Sequence, residues 1–350
     1  MIDVTILKPA DQREYQDFLS ENSRHLIYIS LEFRDFLSSA IQGIPFYLIA
    51  RKNNKIAGVL PYFKIDHQEF GTVINSLPWY GSHGGCYLKD DSDSAVRKAL
   101  LNEFKSIVNR SEVLTSTIIV TPTENRYIQQ YIDILKIGIF DQRIGQINSL
   151  PAPGLDIENR LMMSFKQKTR NLVRKSLKQS FTIEVSDADW AWQFLQTVHA
   201  ENMSAIGAEP KPRSHYDAIR TKIPINQKKL FVAKLNDKAV AALLLLYFNN
   251  TVEYLIPVIK RDYRPIQPLS FLIYYAMLDA VEIGFRWWNW GGTWISQKSL
   301  NHFKKGWGAA DAPYTYLVKA QPDAVDTIKQ HIKKIAQSYP FYYIFPFNLV

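Results

Sequence analysis

The chain has 350 residues, with 42 Lys and Arg against 33 Asp and Glu, a formal charge of +9. That length suits two domains. A hydrophobic share of 47% supplies real cores, and 15 Gly with 17 Pro exclude collagen-like and low-complexity chains. The single cysteine, Cys86, excludes an intramolecular disulfide and a cysteine-based zinc site.

The predicted elements begin with a strand at Val4–Lys8 and a helix over Pro9–Glu21. Phe33, Phe36, Leu37 and Ala40 recur at helical spacing. Pro45–Ala50 and Ile56–Ile65 form a hairpin around Lys52-Asn53-Asn54-Lys55. A strand at Val73–Leu77 runs into the Gly-rich loop Pro78–Gly85. A helix (Ser92–Asn109), a strand (Ser116–Thr121), a helix (Arg126–Leu135) and a strand (Ile144–Ser149) follow. Pro151-Ala152-Pro153-Gly154 then punctuates the chain. We read residues 1–155 as one domain, 156–320 as a second, and 321–350 as a terminal helix and aromatic tail.

The second domain repeats the first in outline. A basic helix (Ile157–Gln179) leads to a strand (Phe181–Val185) and helices at Ala188–Ala205 and Ser214–Lys222. Leu230–Leu235 and Ala239–Phe248 are a hairpin of the same character as the first, and Val252–Ile259 continues it. An apolar helix (Pro268–Gly284), a strand (Trp287–Trp290), a helix (Gln297–Lys305) and a strand (Tyr314–Val318) complete the set, and Gln321–Ser338 reads as a last helix.

Several stretches carry chemistry. Arg160–Gln179 holds seven cations and no acid, with Lys166, Arg170, Arg174 and Lys178 spaced by four along one helical face. Leu161, Phe165 and Leu172 fall on another face that packs. Like charges at this spacing repel, so the stripe points to an anionic partner such as phosphate or nucleic acid, or to a solvated face. The loop Arg261–Ser270 feeds a helix that starts near Pro268, and free N–H groups at a helix start favour anions. Trp287–Trp294 holds four of the chain's eight Trp beside Gly291-Gly292, where backbone can approach a ligand closely. Phe303-Lys304-Lys305-Gly306-Trp307-Gly308 sets Lys304 and Lys305 between aromatics and glycines, a composition that also suits a helix end. Tyr80 and His83 in the first-domain loop are acceptor-contact candidates, with Glu201 and Glu253 behind them.

Other classes lack their motifs. There is no Walker-type phosphate loop, no Gly-x-Gly-x-x-Gly after a strand, and no Gly-x-Ser-x-Gly elbow. The seven His residues lack close pairing, so no metal is expected. The residues alone stop at a duplicated α/β protein handling an anionic ligand.

At these residues the chain resembles the FemAB-like branch of the GNAT acyltransferase superfamily. The features are Arg170-Asn171 with Arg174-Lys175, the Asn236–Leu246 hairpin, Pro268–Gly284 with its closing glycine, the Trp287–Gly292 strand end and Phe303–Gly308. The last looks like the FK-x-G-aromatic-G signature of those transferases. The resemblance implies an α/β fold with mixed sheets and two GNAT-like domains in tandem. It also implies acyl or aminoacyl transfer, without a covalent enzyme intermediate, from acyl-CoA or aminoacyl-tRNA to an amine or hydroxyl. Lys304 matches the motif lysine that stabilises charge at the acyl carbonyl, and Asn289, Trp290 and Gly291 match the strand end lining the acyl site. Arg261, Arg264, Gln267, Leu269 and Ser270 occupy the place of the pyrophosphate loop. Pro265 and Pro268 replace its usual glycines, and the helical-hairpin arm of some FemAB members has no counterpart.

With the resemblance, catalysis falls to Lys304, Asn289 and His83, and substrate contact to Tyr80, Arg170, Arg174 and Lys305. The expected acceptor is a small molecule or a lipid- or nucleotide-linked glycan precursor of the cell envelope, with tRNA as a further partner. A cytoplasmic protein at the inner face of the membrane is expected, with the aromatic tail Tyr339–Val350 packing on the body or touching the membrane. The alternatives are a duplicated GNAT retired to a binding module, and a nucleic-acid-binding protein led by the basic helix.

Overall fold

The computed structural model describes residues 2–23, 25–79 and 83–347. The chain forms two compact units, Met1–Arg143 with Pro313–Val350, and Ile144–Ala312. Along the chain, β1 (Ile2–Ile6), α1 (Gln12–Glu21) and α2 (Leu31–Ala40) precede the hairpin of β2 (Ile44–Lys52) and β3 (Lys55–His67). Next come β4 (Gly71–Asn75), β5 (Tyr87–Leu88), α3 (Ser94–Val108), β6 (Val113–Val120) and α4 (Ile128–Leu135). Strand β7 (Ile139–Ser149) carries the chain into the second unit. There α5 (Ile157–Ser164), α6 (Gln167–Leu177), β8 (Phe181–Val185), α7 (Asp189–Ser204) and α8 (Arg213–Lys222) precede β9 (Lys228–Leu235), β10 (Lys238–Phe248) and β11 (Thr251–Ile259). The unit continues with α9 (Pro268–Glu282), β12 (Trp287–Trp294) and α10 (Lys298–Gly306). Strand β13 (Ala310–Ala320) returns the chain to the first unit, followed by α11 (Pro322–Gln330) and α12 (Ile332–Ser338).

The two units share one topology. Strands run β1-β2-β3-β4-β6-β13 in the first, with β5 on β3, and β8-β9-β10-β11-β12-β7 in the second. Each has a parallel pair, β4 with β6 and β11 with β12, joined through a helix, α3 or α9. Each is completed by a strand from the other half of the sequence. Both hairpins turn on two residues with positive φ, Asn53-Asn54 (53° and 60°) and Asn236-Asp237 (49° and 60°). Such turns match the right-handed strand twist, and Asn and Asp tolerate the left-handed region.

Helix α9 is apolar on nearly every side and buried accordingly. It packs with Ala241, Leu243, Leu245 and Tyr247 of β10, and with Val252 and Trp288. The intervening residues of β10, β11 and β12, including Leu246, Glu253 and Asn289, point to the opposite sheet face. Helix α7 packs on β9, β10 and β11 there.

The structure corrects the predicted basic helix. Ile157–Gln179 is two helices, broken at Phe165 and Lys166, which take extended backbone. Tertiary packing overrides propensity here: the Phe165 ring sits 4.9 Å from Trp307, edge-on, and the Lys166 N–H donates to the Gly306 carbonyl at 2.8 Å. The predicted helix Gln321–Ser338 likewise breaks at His331. The aromatic tail packs on the first unit. Tyr339, Tyr342, Ile344 and Phe345 are buried, Tyr339 Oη donates to the Gly71 carbonyl at 2.8 Å, and Tyr342 Oη donates to the Gln42 carbonyl at 2.7 Å. Phe341, Tyr343 and Phe347 of the tail are half-buried. No helix among the described residues is long and apolar enough to cross a membrane.

Candidate active site

The second unit's parallel pair opens into a fork. β11 and β12 pair at Thr251–Trp287, Val252–Trp288 and Glu253–Asn289 and then part, although both strands continue. A bulge bends β11 just beyond that point: Leu244 faces Ile256 and Leu245 faces Tyr254, leaving Leu255 as the extra residue.

Side chains take over the missing ladder on both arms. On β11, Asn202 of α7 accepts the Ile259 N–H at 3.1 Å and donates to its carbonyl at 2.9 Å. On β12, Lys304 Nζ donates to the Gly291 and Gly292 carbonyls at 3.2 Å each and to Thr293 Oγ1 at 2.7 Å. Lys304 is 3% exposed, and burial pushes its pKa down to about 8. An ammonium group has three donors, and all three are engaged. Lys304 therefore fastens the strand end in this structure.

Asn289 and Glu253 stand side by side at the apex, both buried. Asn289 Oδ1 accepts the Gly291 N–H at 2.9 Å, which fixes the amide's orientation. Its Nδ2 is then a buried donor with no hydrogen-bond partner, on a side chain 1% exposed. Gly291 adopts φ of +69°, and a Cβ there would meet nothing within 4 Å. The backbone is thus bare and open beside the unpaired amide.

The α9 side of the fork is aromatic. Trp290 lies 4.7 Å from Tyr254 and 6.1 Å from Trp307. Trp290 Nε1 donates to Asn148 Oδ1, and Asn148 Nδ2 donates to the Trp307 carbonyl, both at 2.5 Å. Asn148 and Asn202 were not singled out in the sequence. Each acts on partners far along the chain, and no local spacing marks them.

Beyond β11, Arg261–Ile266 form a 3-10 turn, and Gln267 takes the left-handed region (φ 64°) to start α9 at Pro268. Arg261 and Arg264 are exposed, and Leu269 and Ser270 lie in the first turn. Gln267 is folded onto its own loop, its amide donating to the Arg264 carbonyl at 2.9 Å and accepting from Ser270 Oγ at 3.1 Å.

The remaining predicted residues are dispersed. Arg174 is exposed on α6, and Arg170 donates to the Phe165 carbonyl at 2.5 Å. Lys305 pairs with Asp311 at 2.6 Å. Glu201 is exposed on α7. His83 belongs to the first unit, 1% exposed, with its ring 4.5 Å from Tyr314 and no partner on either nitrogen. Burial pulls its pKa down to about 4, so it is not a surface histidine. Tyr80 lies outside the described residues.

Residues 163–305 match the family model described as an acetyltransferase (GNAT) domain. The match takes in the fork, Asn202, Asn289 and Lys304. Among solved structures, the chain is similar to FemX at 15% identity and a TM-score of 0.70, covering 90% of this chain and 97% of that one. It is similar to a tandem GNAT protein from the clavulanic acid biosynthesis pathway at 9% identity and 0.55, covering 91% and 98%. A C-terminal domain assigned to a lysylphosphatidylglycerol synthetase of Agrobacterium fabrum gives 12% and 0.59, covering 91% and 95%. No curated protein matches the sequence. The fold is that of two GNAT-like units in tandem, and residues 163–305, in the second, match the GNAT acetyltransferase domain model.

Proposed function

We propose that the second unit moves an acyl or aminoacyl group from acyl-CoA or aminoacyl-tRNA to an amine or hydroxyl of a cell-envelope or polysaccharide precursor. The observation that carries this reading is the oriented, unpaired Nδ2 of Asn289 at the apex of an open fork. A buried donor aimed at a carbonyl oxygen gains strength as negative charge grows there, and it needs no reorganisation. Glu253, its neighbour across the last strand pair, is placed to take the nucleophile's proton. The acceptor nitrogen or oxygen bonds to the acyl carbon and the carbon–sulfur or carbon–oxygen bond to the carrier breaks. The proton passes through Glu253 to the departing carrier. Lys304 is a positioning residue that holds the strand end carrying Gly291.

The residues around Arg261–Ser270 fit a phosphorylated donor in a reduced form. Two exposed guanidinium groups and the Leu269 and Ser270 N–H groups are available, while Pro265 and Pro268 withhold theirs. The bound donor supplies an acyl carbonyl on a good leaving group. The FemAB-like resemblance and the likeness to a lysylphosphatidylglycerol synthetase domain support an aminoacyl group and an envelope acceptor, lipid- or nucleotide-linked. The test is a donor screen of acyl-CoAs and charged tRNAs with product masses. Transfer from one donor class, lost in Asn289→Ala, is expected. Full turnover in that variant would overturn the role of the amide.

A further inference from the structure

The first unit holds a cavity of about 590 Å³. It opens at the end of α3, beside the start of β6, whereas the fork of this unit lies at the other end of β4 and β6. Its floor is one face of the sheet. Strand alternation and register put Ile6, Phe46, Leu48, Tyr62 and Ile74 on that face, and Ile107 of α3 completes the apolar lining. The Phe46 and Tyr62 rings stack at 5.1 Å. Ile44, on the same face of β2, is 57% exposed, so the apolar strip runs out of the cavity to the surface.

A few polar groups stand among these side chains, the usual make-up of a small-molecule site. Tyr62 is 5% exposed, and its hydroxyl makes no hydrogen bond among the described residues. Burial pushes its pKa up to about 12, so it is a neutral donor. Lys8 and Arg110 line the cavity as exposed cations without ion pairs among the described residues, while Lys64 pairs with Asp66 at 3.2 Å. Glu103 and Glu112 are the acids of the lining. The second unit fills the corresponding place. The turn after α9 carries Phe285, whose ring packs edge-on against Tyr247 at 5.2 Å, and Lys229 pairs with Asp279 at 2.7 Å. The turn after α3 has the same length but brings Arg110 and Glu112 to the cavity instead.

An open apolar cavity with free donors at its rim suits an amphiphile. The chain leaves water against the rings, and an anionic head gains charge-assisted hydrogen bonds. Glu103 and Glu112 weigh against a doubly charged head. We propose that this cavity binds a long-chain carboxylate, its aliphatic chain on Phe46, Leu48, Tyr62 and Ile107 and its head held by the Tyr62 hydroxyl and Arg110. The site stands whether or not the second unit transfers acyl groups.

The test uses the full chain with 13C-labelled isoleucine methyl groups. Dodecanoate is added below its micelle concentration, with octanoate, dodecyl phosphate and dodecyltrimethylammonium in parallel arms. A saturable shift of Ile6, Ile74 and Ile107 is expected with dodecanoate, while Ile273 of α9 stays still. Octanoate should bind at least about tenfold more weakly, because each buried methylene is worth about fourfold. Tyr62→Phe, which keeps the ring and the packing, and Arg110→Gln should each weaken binding about tenfold, as loss of one hydrogen bond to an ionised group does. Absence of a saturable shift, equal binding of the ammonium amphiphile, or an affinity untouched by both substitutions overturns the site. Tighter binding of dodecyl phosphate overturns the carboxylate assignment. Shifts that follow protein concentration with no amphiphile present overturn the proposal by giving the cavity to a second copy of the chain.

Discussion

The same topology yields a shut fork in the first unit and an open one in the second. β4 and β6 pair from Thr72–Val113 to Asn75–Thr117, and the contact continues. The Ser76 N–H donates to the Thr117 carbonyl, Ser76 Oγ accepts the Ile119 N–H, both at 2.8 Å, and Gly84 bridges to Val120. A Cβ on Gly84 would stand 2.1 Å from Ser76 Oγ, whereas one on Gly291 would meet nothing within 4 Å. The tail then covers the shut end, with the Asn75 amide donating to the Tyr343 carbonyl at 2.9 Å and accepting its N–H at 2.7 Å. Both forks carry an asparagine at the end of strand pairing. In one its amide is spent on the chain itself; in the other Nδ2 is unspent. The difference between the shut fork and the open one lies in a few side chains, not in the topology.

The sharpest way to break that comparison is to remove each asparagine. Asn289→Ala should lower kcat/KM by about 10²- to 10³-fold, the usual cost of one oxyanion donor, with a smaller loss of stability from the half-exposed Gly291 N–H it leaves unpaired. Asn75→Ala should do the reverse. It leaves turnover intact and costs about 1–3 kcal/mol in urea unfolding, because the Tyr343 backbone is left without its partner. Equal kinetic effects from the two would erase the distinction.

Lys304→Met should come next. It leaves the Gly291 and Gly292 carbonyls without their donor, which costs about 1–3 kcal/mol of stability. It should also slow turnover by about tenfold, since a strand end displaced slightly misplaces the acyl group. A drop in kcat with KM and folding untouched would instead show that Lys304 touches the acyl carbonyl directly.

Much of this was legible in the sequence, and the illegible part has a common cause. Both hairpins could be read because Asn53-Asn54 and Asn236-Asp237 carry their turn chemistry locally. Helix α9 could be read from its continuous apolar character. The break at Phe165 could not, because it is made by Trp307 and Gly306 far along the chain. Asn202 acts on Ile259 across 57 residues. The exchange of β7 and β13 between units is equally hidden, since an apolar strand does not say which neighbour it will join. Pro151–Gly154 is a real local punctuation, yet the compact unit begins at Ile144. The engagement of all three Lys304 donors is a fact of packing that no motif carries.

A milder effect tests what the two units have in common. His83 in the first and His199 in the second are both held near a pKa of about 4, chiefly by burial, against 6.5 for the free side chain. Below pH 6.5 the unfolded chain takes up protons that the folded imidazoles refuse, so stability falls as pH drops from 6.5 toward 4. Each histidine should cost about 2 kcal/mol between pH 6.5 and pH 5. His83→Leu should flatten that slope for the first unit, read as the change in urea midpoint between pH 7 and pH 5. An unaltered slope would mean that the His83 ring is protonated in the fold.

The smallest expected effect concerns charge, and it separates the donor classes. Lys168, Arg174 and Lys175 are exposed along α6 and Lys178 just past its end, in the unit with the open fork. Thr169, Val173 and Ser176 form its buried face, so removing these cations leaves the packing intact. If the donor is a charged tRNA, Lys168→Gln with Arg174→Gln should reduce the slope of log affinity against log salt by about 0.7–0.9 for each phosphate no longer neutralised. Binding should weaken evenly across tRNA sequences, because phosphate contacts carry no base information. Turnover with an acyl-CoA should not move, since the contacts proposed for its phosphates are Arg261 and Arg264 instead. An unchanged salt slope would assign the α6 stripe to a solvated surface and move the donor reading toward acyl-CoA.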